Sequence, residues 1–131
     1  MARNGRSEGD THAGSRRSRL IPPLVRSWRN RVGVAGHSME PALRDGDWLL
    51  VDPLAFAGRA PRVGELVVAR DPRADGRLIV KRVRSLEAAG TLTVGGDHAA
   101  HTDESVTLEP AKLIGRPWWR YWPARRMGRI T

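Results

Sequence analysis

The 131-residue sequence contains no cysteine, one tyrosine, one phenylalanine and no long apolar run. The absence of cysteine excludes disulfide bonds, thiolate metal sites and a cysteine nucleophile, and it suits a reducing compartment. The longest apolar run near the N-terminus, residues 20–25, includes two prolines. It is shorter than the ~18–20 residues that cross a bilayer and than the apolar core of a secretory signal peptide. We therefore expect no membrane anchor and a cytoplasmic protein.

Positive charge dominates the composition, but it is concentrated at the two ends of the chain. The formal net charge is +9; residues 1–31 carry 8 basic and 2 acidic side chains, residues 32–123 carry 12 of each, and residues 124–131 carry 3 and 0. A basic, polar segment cannot offset its ordering entropy by burial. We expect a disordered arm at 1–31, one folded domain at 32–123 and a basic tail at 124–131.

Short apolar runs alternate with Gly, Pro and Asp from residue 32 onward, which predicts a mainly β domain, a small antiparallel sheet with little helix. An Asp75-Gly76 pair predicts a hairpin, residues 40–44 fit one helical turn, and Trp48 and the tryptophan-rich residues 118–123 are expected in the core. We expect the first two strands below to be neighbours. The predicted strands are residues 47–51, 65–70, 77–84, 91–94 and 113–114.

Two residues carry potential chemistry, Ser38 and Lys81. A serine hydroxyl needs a base to become a nucleophile, and a lysine can be that base where burial disfavours its ammonium form. On a strand, Lys81 shares its face with the apolar residues Ile79 and Val83. Taken alone, Lys81 fits a strand lysine that reaches water and Ser38 fits a turn or helix cap. Their combination with the surrounding motifs points to catalysis.

Five segments, in order, resemble the type I signal peptidase family of Ser/Lys proteases across about residues 33–123. The most specific parts are the Ser-Met-x-Pro-x-Leu box that starts at Ser38 and the Lys-Arg-Val box that starts at Lys81. The resemblance implies a peptidase domain with the partly open barrel of the signal-peptidase catalytic core. The segments are VAGHSMEPAL at 34–43, GD at 46–47, GELVV at 64–68, VKRV at 80–83 and GDH at 96–98.

The resemblance also implies the roles of individual residues. Ser38 is the nucleophile, Lys81 is the general base, and the backbone N–H of Ser38 belongs to the oxyanion hole. No cofactor and no metal are implied, and the partner is a protein substrate. The residues expected along the oxyanion hole and the substrate cleft are Gly36, His37, Met39 and Pro41.

One departure from the family pattern lies next to the nucleophile. Family members often have a hydroxyl residue two positions before it, where this sequence has Gly36. We therefore expect an oxyanion hole built from backbone donors alone. His37, beside the nucleophile in an extended segment, is expected to line the cleft or face solvent, because neighbouring side chains there point apart.

A second departure lies in the box after the fourth predicted strand. Asp97 and Asp103 are kept, but His101 or Thr102 stands where the family has a serine that orients the lysine, and both alternatives remain open. The arginine of this box is missing, which leaves the local ion pairing undefined. Arg82 is expected to support the site together with these residues.

Within the family, the small size and the ending at residues 118–123 most resemble the proteases that mature nickel-type superoxide dismutase. This resemblance implies an endopeptidase that removes a short N-terminal extension from a precursor.

Three alternatives compete with this interpretation. A self-cleaving repressor-type regulator uses similar boxes, but residues 1–31 are too short and polar for a DNA-binding helical domain. A nucleic-acid-binding β module with stacking tryptophans conflicts with the neutral middle of the chain, so we expect no stable nucleic-acid partner. His98 and His101, flanked by aspartates, fit a nickel or zinc site in principle, but they lie in a predicted loop where this spacing does not ensure convergence.

Overall fold

The computed structural model describes residues 30–98 and 105–131. This part of the chain is mainly β, with 3₁₀ turns at Pro110–Lys112 and Ala124–Arg126. The expected arm at 1–31 lies outside the described residues apart from its last two. The strands are β1 (Arg31–Gly33), β2 (Trp48–Asp52), β3 (Leu66–Arg70), β4 (Leu78–Leu86), β5 (Leu92–Gly95), β6 (Val106–Leu108), β7 (Leu113–Trp122) and β8 (Gly128–Arg129).

The strands form one antiparallel sheet in the order β1-β2-β7-β3-β4-β5-β6, with β8 paired to β7. The sheet curls into an open half-barrel, which confirms the predicted mainly β, partly open architecture. The β3–β4 hairpin and the following β5 also pair as the turn residues predict.

The prediction that β2 and β3 are neighbours is wrong, because β7 lies between them. The end of β7 pairs with β2, where Trp48 lies opposite Trp122, and the start pairs with β3, where Val68 lies opposite Gly115. A side chain at Gly115 would collide with the Asp52 carbonyl and Pro53, so glycine permits this close approach. Pairing between strands so distant in sequence leaves no local signal.

The two faces of the β3–β4 hairpin bury different clusters. Val67, Ile79 and Val83 pack on one face, together with residues of β5 and β6. On the other face, Leu66 packs with Met39 of the loop between β1 and β2. This loop contains Ser38, so the second cluster attaches the predicted nucleophile to the sheet.

The prediction that Trp48 and the tryptophan-rich end are buried is wrong for two of the rings. Trp48 is 36% exposed and Trp122 is 56% exposed. Both stand at strand ends, opposite each other. The Trp48 ring lies over Gly33, whose missing side chain leaves room for it at the edge of the sheet.

The last residues, grouped above as a basic tail, make contacts with the sheet. β8 pairs with β7, and Ile130 packs against the cluster that contains Met39 and Leu43. Among residues 30–98 and 105–131, no helix has the length and apolar character to cross a membrane.

Candidate active site

Ser38 lies in the loop between β1 and β2, which is closed by paired backbone hydrogen bonds. The N–H of Val34 donates to the Asp47 carbonyl at 2.8 Å, and the N–H of Gly46 donates to the Val34 carbonyl at 2.9 Å. Within the loop, the N–H of Leu43 donates to the carbonyl of Met39 at 2.9 Å and closes a turn that contains a cis Glu40–Pro41 peptide bond. The prediction of a helical turn at 40–44 is therefore wrong. Met39 and Leu43 are buried, so the residues after Ser38 are held by apolar packing.

Lys81 lies in the middle of β4, opposite Val67 of β3. Its face of the strand is shared with Ile79 and Val83, as the alternation of strand side chains requires. Lys81 is 7% exposed, which is unusual for a lysine. An amine in such surroundings is less favourable in its charged form.

The fold brings Ser38 and Lys81 together although they are 43 residues apart. Lys81 Nζ donates to Ser38 Oγ at 2.8 Å. The backbone is fixed as well, because the N–H of His98, after β5, donates to the Ser38 carbonyl at 2.8 Å. Lys81 of β4 therefore binds the Ser38 hydroxyl, and the segment after β5 binds the Ser38 carbonyl.

Arg82 supports this loop from the neighbouring position of β4. Its guanidinium donates to the Asp97 carboxylate through Nε at 2.8 Å and through Nη2 at 2.7 Å. Arg82 Nη1 also donates to the Gly64 carbonyl at 2.8 Å. Arg84 adds a hydrogen bond to the Gly96 carbonyl. These contacts fix the residues that precede His98, so Asp97 has arginine partners although the arginine of its own box is missing.

His37 and Glu40 form an exposed pair beside the nucleophile. His37 Nδ1 lies 2.8 Å from Glu40 Oε1, and the two side chains are 65% and 31% exposed. The hydrogen bond with Glu40 raises the pKa of His37, and the same contact lowers the pKa of Glu40. The histidine faces solvent and contacts this carboxylate.

Gly36 has a left-handed backbone with φ of +89°, and the space where a side chain would stand is open. Its N–H donates to Asp45 Oδ1 at 2.9 Å. This donor is therefore engaged in the loop itself. The Ser38 N–H donates to no other backbone carbonyl of the described residues. Pro41 is an exposed residue of the same loop.

The structure leaves three predicted supporting residues undescribed. His101, Thr102 and Asp103 lie outside the described residues, so the choice between His101 and Thr102 stays a prediction. Within residues 30–98 and 105–131, no group of three or more His, Asp or Glu side chains is placed to hold a metal ion.

Sequence reasoning missed an ionic cluster at the base of the Ser38 loop. Asp47 is 1% exposed, and its carboxylate accepts from Arg126 Nη1 at 2.7 Å, from Arg120 Nη1 at 3.1 Å and from the Arg44 N–H at 2.9 Å. The two guanidinium groups come from positions 73 and 79 residues further along the chain. The sequence analysis noted Asp47 in the GD segment and expected a basic tail at 124–131, but nothing in the sequence joined the two.

A groove of about 490 Å³ lies elsewhere on the molecule, between the connection from β2 to β3 and the start of β7. Phe56, Arg59 and Leu113 are among its lining residues, and neither Ser38 nor Lys81 is. The groove is therefore separate from the Ser38–Lys81 pair.

Comparison with known proteins gives one family. The model of the signal peptidase family, peptidase S26, matches residues 24–114, more than two thirds of the chain. No curated protein and no solved structure gives a significant match. The matched range includes both Ser38 and Lys81. The chain belongs to the signal peptidase family, peptidase S26, a family of serine peptidases.

Proposed function

We propose that the protein is a serine endopeptidase in which Ser38 is the nucleophile and Lys81 the general base. The observation that carries this proposal is the 2.8 Å separation of Lys81 Nζ and Ser38 Oγ, with Lys81 only 7% exposed. A neutral amine at this distance can accept the serine proton during attack. Apolar neighbours on β4 support the neutral form, because burial disfavours the ammonium ion.

The reaction has two halves. Ser38 Oγ attacks the peptide carbonyl carbon while its proton moves to Lys81 Nζ, and the resulting ammonium then donates that proton to the departing amine. The C–N bond breaks and an acyl-enzyme remains on Ser38. Water then attacks the ester, Lys81 accepts a proton from it, and return of that proton to Ser38 Oγ releases the carboxylic acid product.

The oxyanion that forms in each half needs hydrogen-bond donors. The Ser38 N–H is one candidate, since it donates to no backbone carbonyl of the described residues. Gly36 cannot add a hydroxyl, and its N–H already donates to Asp45. Because losing one donor typically costs about 10²–10³ in rate, we expect slow turnover unless another group supplies a second donor.

The proposed substrate is the precursor of a nickel-type superoxide dismutase, from which the enzyme removes a short N-terminal extension. The support for this substrate is the resemblance of residues 118–123 to the ending of such maturation proteases. The proposed place of the reaction is the cytoplasm, and a cysteine-free sequence suits such a reducing compartment.

The test is incubation with such a precursor, followed by mass spectrometry to map the new N-terminus. Ser38→Ala and Lys81→Met are expected to abolish cleavage, while Lys112→Met and Ser85→Ala, at exposed positions, retain it. The rate of the parent is expected to rise with pH as the Lys81 amine loses its proton.

A second arm with a proteome-derived peptide library separates chemistry from substrate. Cleavage of library peptides without cleavage of the precursor would keep the peptidase and remove the proposed substrate. Full activity of Lys81→Met in either arm would remove Lys81 as the base. Self-cleavage of the purified chain alone would point to a regulator of the self-cleaving type.

A further inference from the structure

We infer that Arg120 and Arg126 are positioning residues for Ser38. Both bind the carboxylate of Asp47, which lies at the base of the loop that contains Ser38. The inference rests on the proposed function of Ser38. It concerns side chains that follow residue 114, where the match to the family model ends. They act on a loop that lies within the matched range.

The first support is a set of ionic contacts. Arg126 Nη1 lies 2.7 Å from Asp47 Oδ1, and Arg120 Nη1 lies 3.1 Å from Asp47 Oδ2. Arg120 Nη1 also donates at 3.1 Å to the carbonyl of Ala42, which lies in the turn that follows Ser38. The Arg120 guanidinium therefore links Asp47, at the base of the loop, to the turn that follows Ser38.

The second support is that the C-terminal segment is itself held against β7. Arg120 Nε donates to the Arg126 carbonyl at 2.6 Å, and the N–H of Ile130 donates to the Trp118 carbonyl at 3.1 Å. The Ile130 side chain packs on the cluster that contains Met39, the residue next to Ser38. Ionic and apolar contacts from the same segment thus converge on the same loop.

The third support is electrostatic. The side chains of Arg120 and Arg126 are 14% and 19% exposed, and that of Asp47 is 1% exposed. Burial lowers the pKa of Arg126, and the Asp47 carboxylate opposes that effect. Moving the loop would separate poorly hydrated opposite charges, so the arrangement resists displacement. Such resistance matters because an error of about 1 Å in a reacting group can cost about 10²-fold in rate.

The kinetic test compares Arg126→Met with Arg125→Met, a matched change at an exposed position of the same 3₁₀ turn. The substrate is the library peptide that the parent cuts fastest. For Arg126→Met we expect kcat to fall roughly 10- to 100-fold while KM stays within about twofold. Arg126→Lys should recover part of the loss, and Arg125→Met should match the parent. Unchanged kcat in folded Arg126→Met would overturn the inference.

Hydrogen exchange supplies a readout that needs no turnover. Amides of residues 39–47 should exchange faster in Arg126→Met than in the parent or Arg125→Met, while those of β4 stay protected. Equal exchange in the loop would overturn the inference. If the parent cuts no peptide at all, the proposed function fails, and exchange alone decides whether Arg126 holds the loop. If Arg126→Met does not fold, kcat and the hydrogen exchange of residues 39–47 are measured for Arg126→Lys and Arg120→Lys instead. Lower kcat with faster exchange would support the inference, and parental values of both would overturn it.

Discussion

Two loops of this molecule contain the same arrangement, a buried aspartate that binds two arginines. At the β3–β4 turn, Asp71 accepts from Arg73 Nε at 3.0 Å and from Arg77 Nε at 2.8 Å. At the base of the Ser38 loop, Asp47 accepts from Arg120 and Arg126. The first pair of arginines is 2 and 6 residues from its aspartate, and the second is 73 and 79 residues away.

The difference in separation is matched by a difference in exposure. Arg73 and Arg77 are 49% and 58% exposed, so water screens their charges. Arg120 and Arg126 are mostly buried. The local cluster therefore shapes a hairpin at modest gain, whereas the long-range cluster ties distant segments together and is costly to break. The same Asp–Arg contacts are thus expected to contribute differently to stability, because the exposure of the arginines determines the strength of the interaction.

The largest expected effect is that of Asp47→Asn. Removing this carboxylate leaves two largely buried guanidinium groups without their counter-charge, which typically costs about 3–5 kcal/mol. Urea unfolding followed by circular dichroism would measure the change in the free energy of unfolding. A loss no greater than that of Asp71→Asn would contradict the ranking of the two clusters.

A smaller effect is expected for Asp71→Asn. The Asp71 side chain is fully buried, and it also accepts from the N–H of Arg73, but its arginine partners are half in water. Losing such contacts is expected to cost about 1–2 kcal/mol. The same unfolding measurement gives the value, with Asp75→Asn at an exposed position of the turn as control. A loss as small as that of the control would show that the cluster contributes nothing.

Acid should reduce the difference in stability between the parent and Asp71→Asn. Arg73 holds the pKa of Asp71 well below its usual range, with help from Arg77. A carboxyl group whose folded pKa is depressed stabilises the fold above its unfolded pKa of about 4 and loses this contribution as pH falls toward the folded value. Thermal melts should show a constant gap in Tm near neutral pH that narrows below about pH 5. A gap that stays constant in acid would contradict the depressed pKa.

The smallest effect on stability is expected at the exposed pair beside the nucleophile. Glu40→Gln should leave Tm unchanged, because the His37–Glu40 contact lies in water. The pKa of His37, followed by NMR, should fall toward its ordinary value once the carboxylate is gone. An unchanged His37 titration would show that the pair does not form in solution.

The comparison of the two aspartates also explains what the sequence could predict. The turn at 71–77 and the hairpin around Asp75-Gly76 are local, and residue types alone indicated them. Ser38 and Lys81 became candidates for the proposed nucleophile and base because of the motifs around them. The contacts of Asp47, the position of β7 and the exposure of Trp48 depend on segments that meet only in the folded chain, and no nearby pattern encodes them.

The central position of β7 has a consequence for how the two parts of the candidate site are joined. In the described sheet, β1 and β2 carry the Ser38 loop on one side of β7, and β3 to β6 carry Lys81 on the other. Without residues 113–122 in place, the sheet lacks the strand that joins these halves. The proposed nucleophile and base, Ser38 and Lys81, are therefore held in register by a strand that follows both of them in the chain.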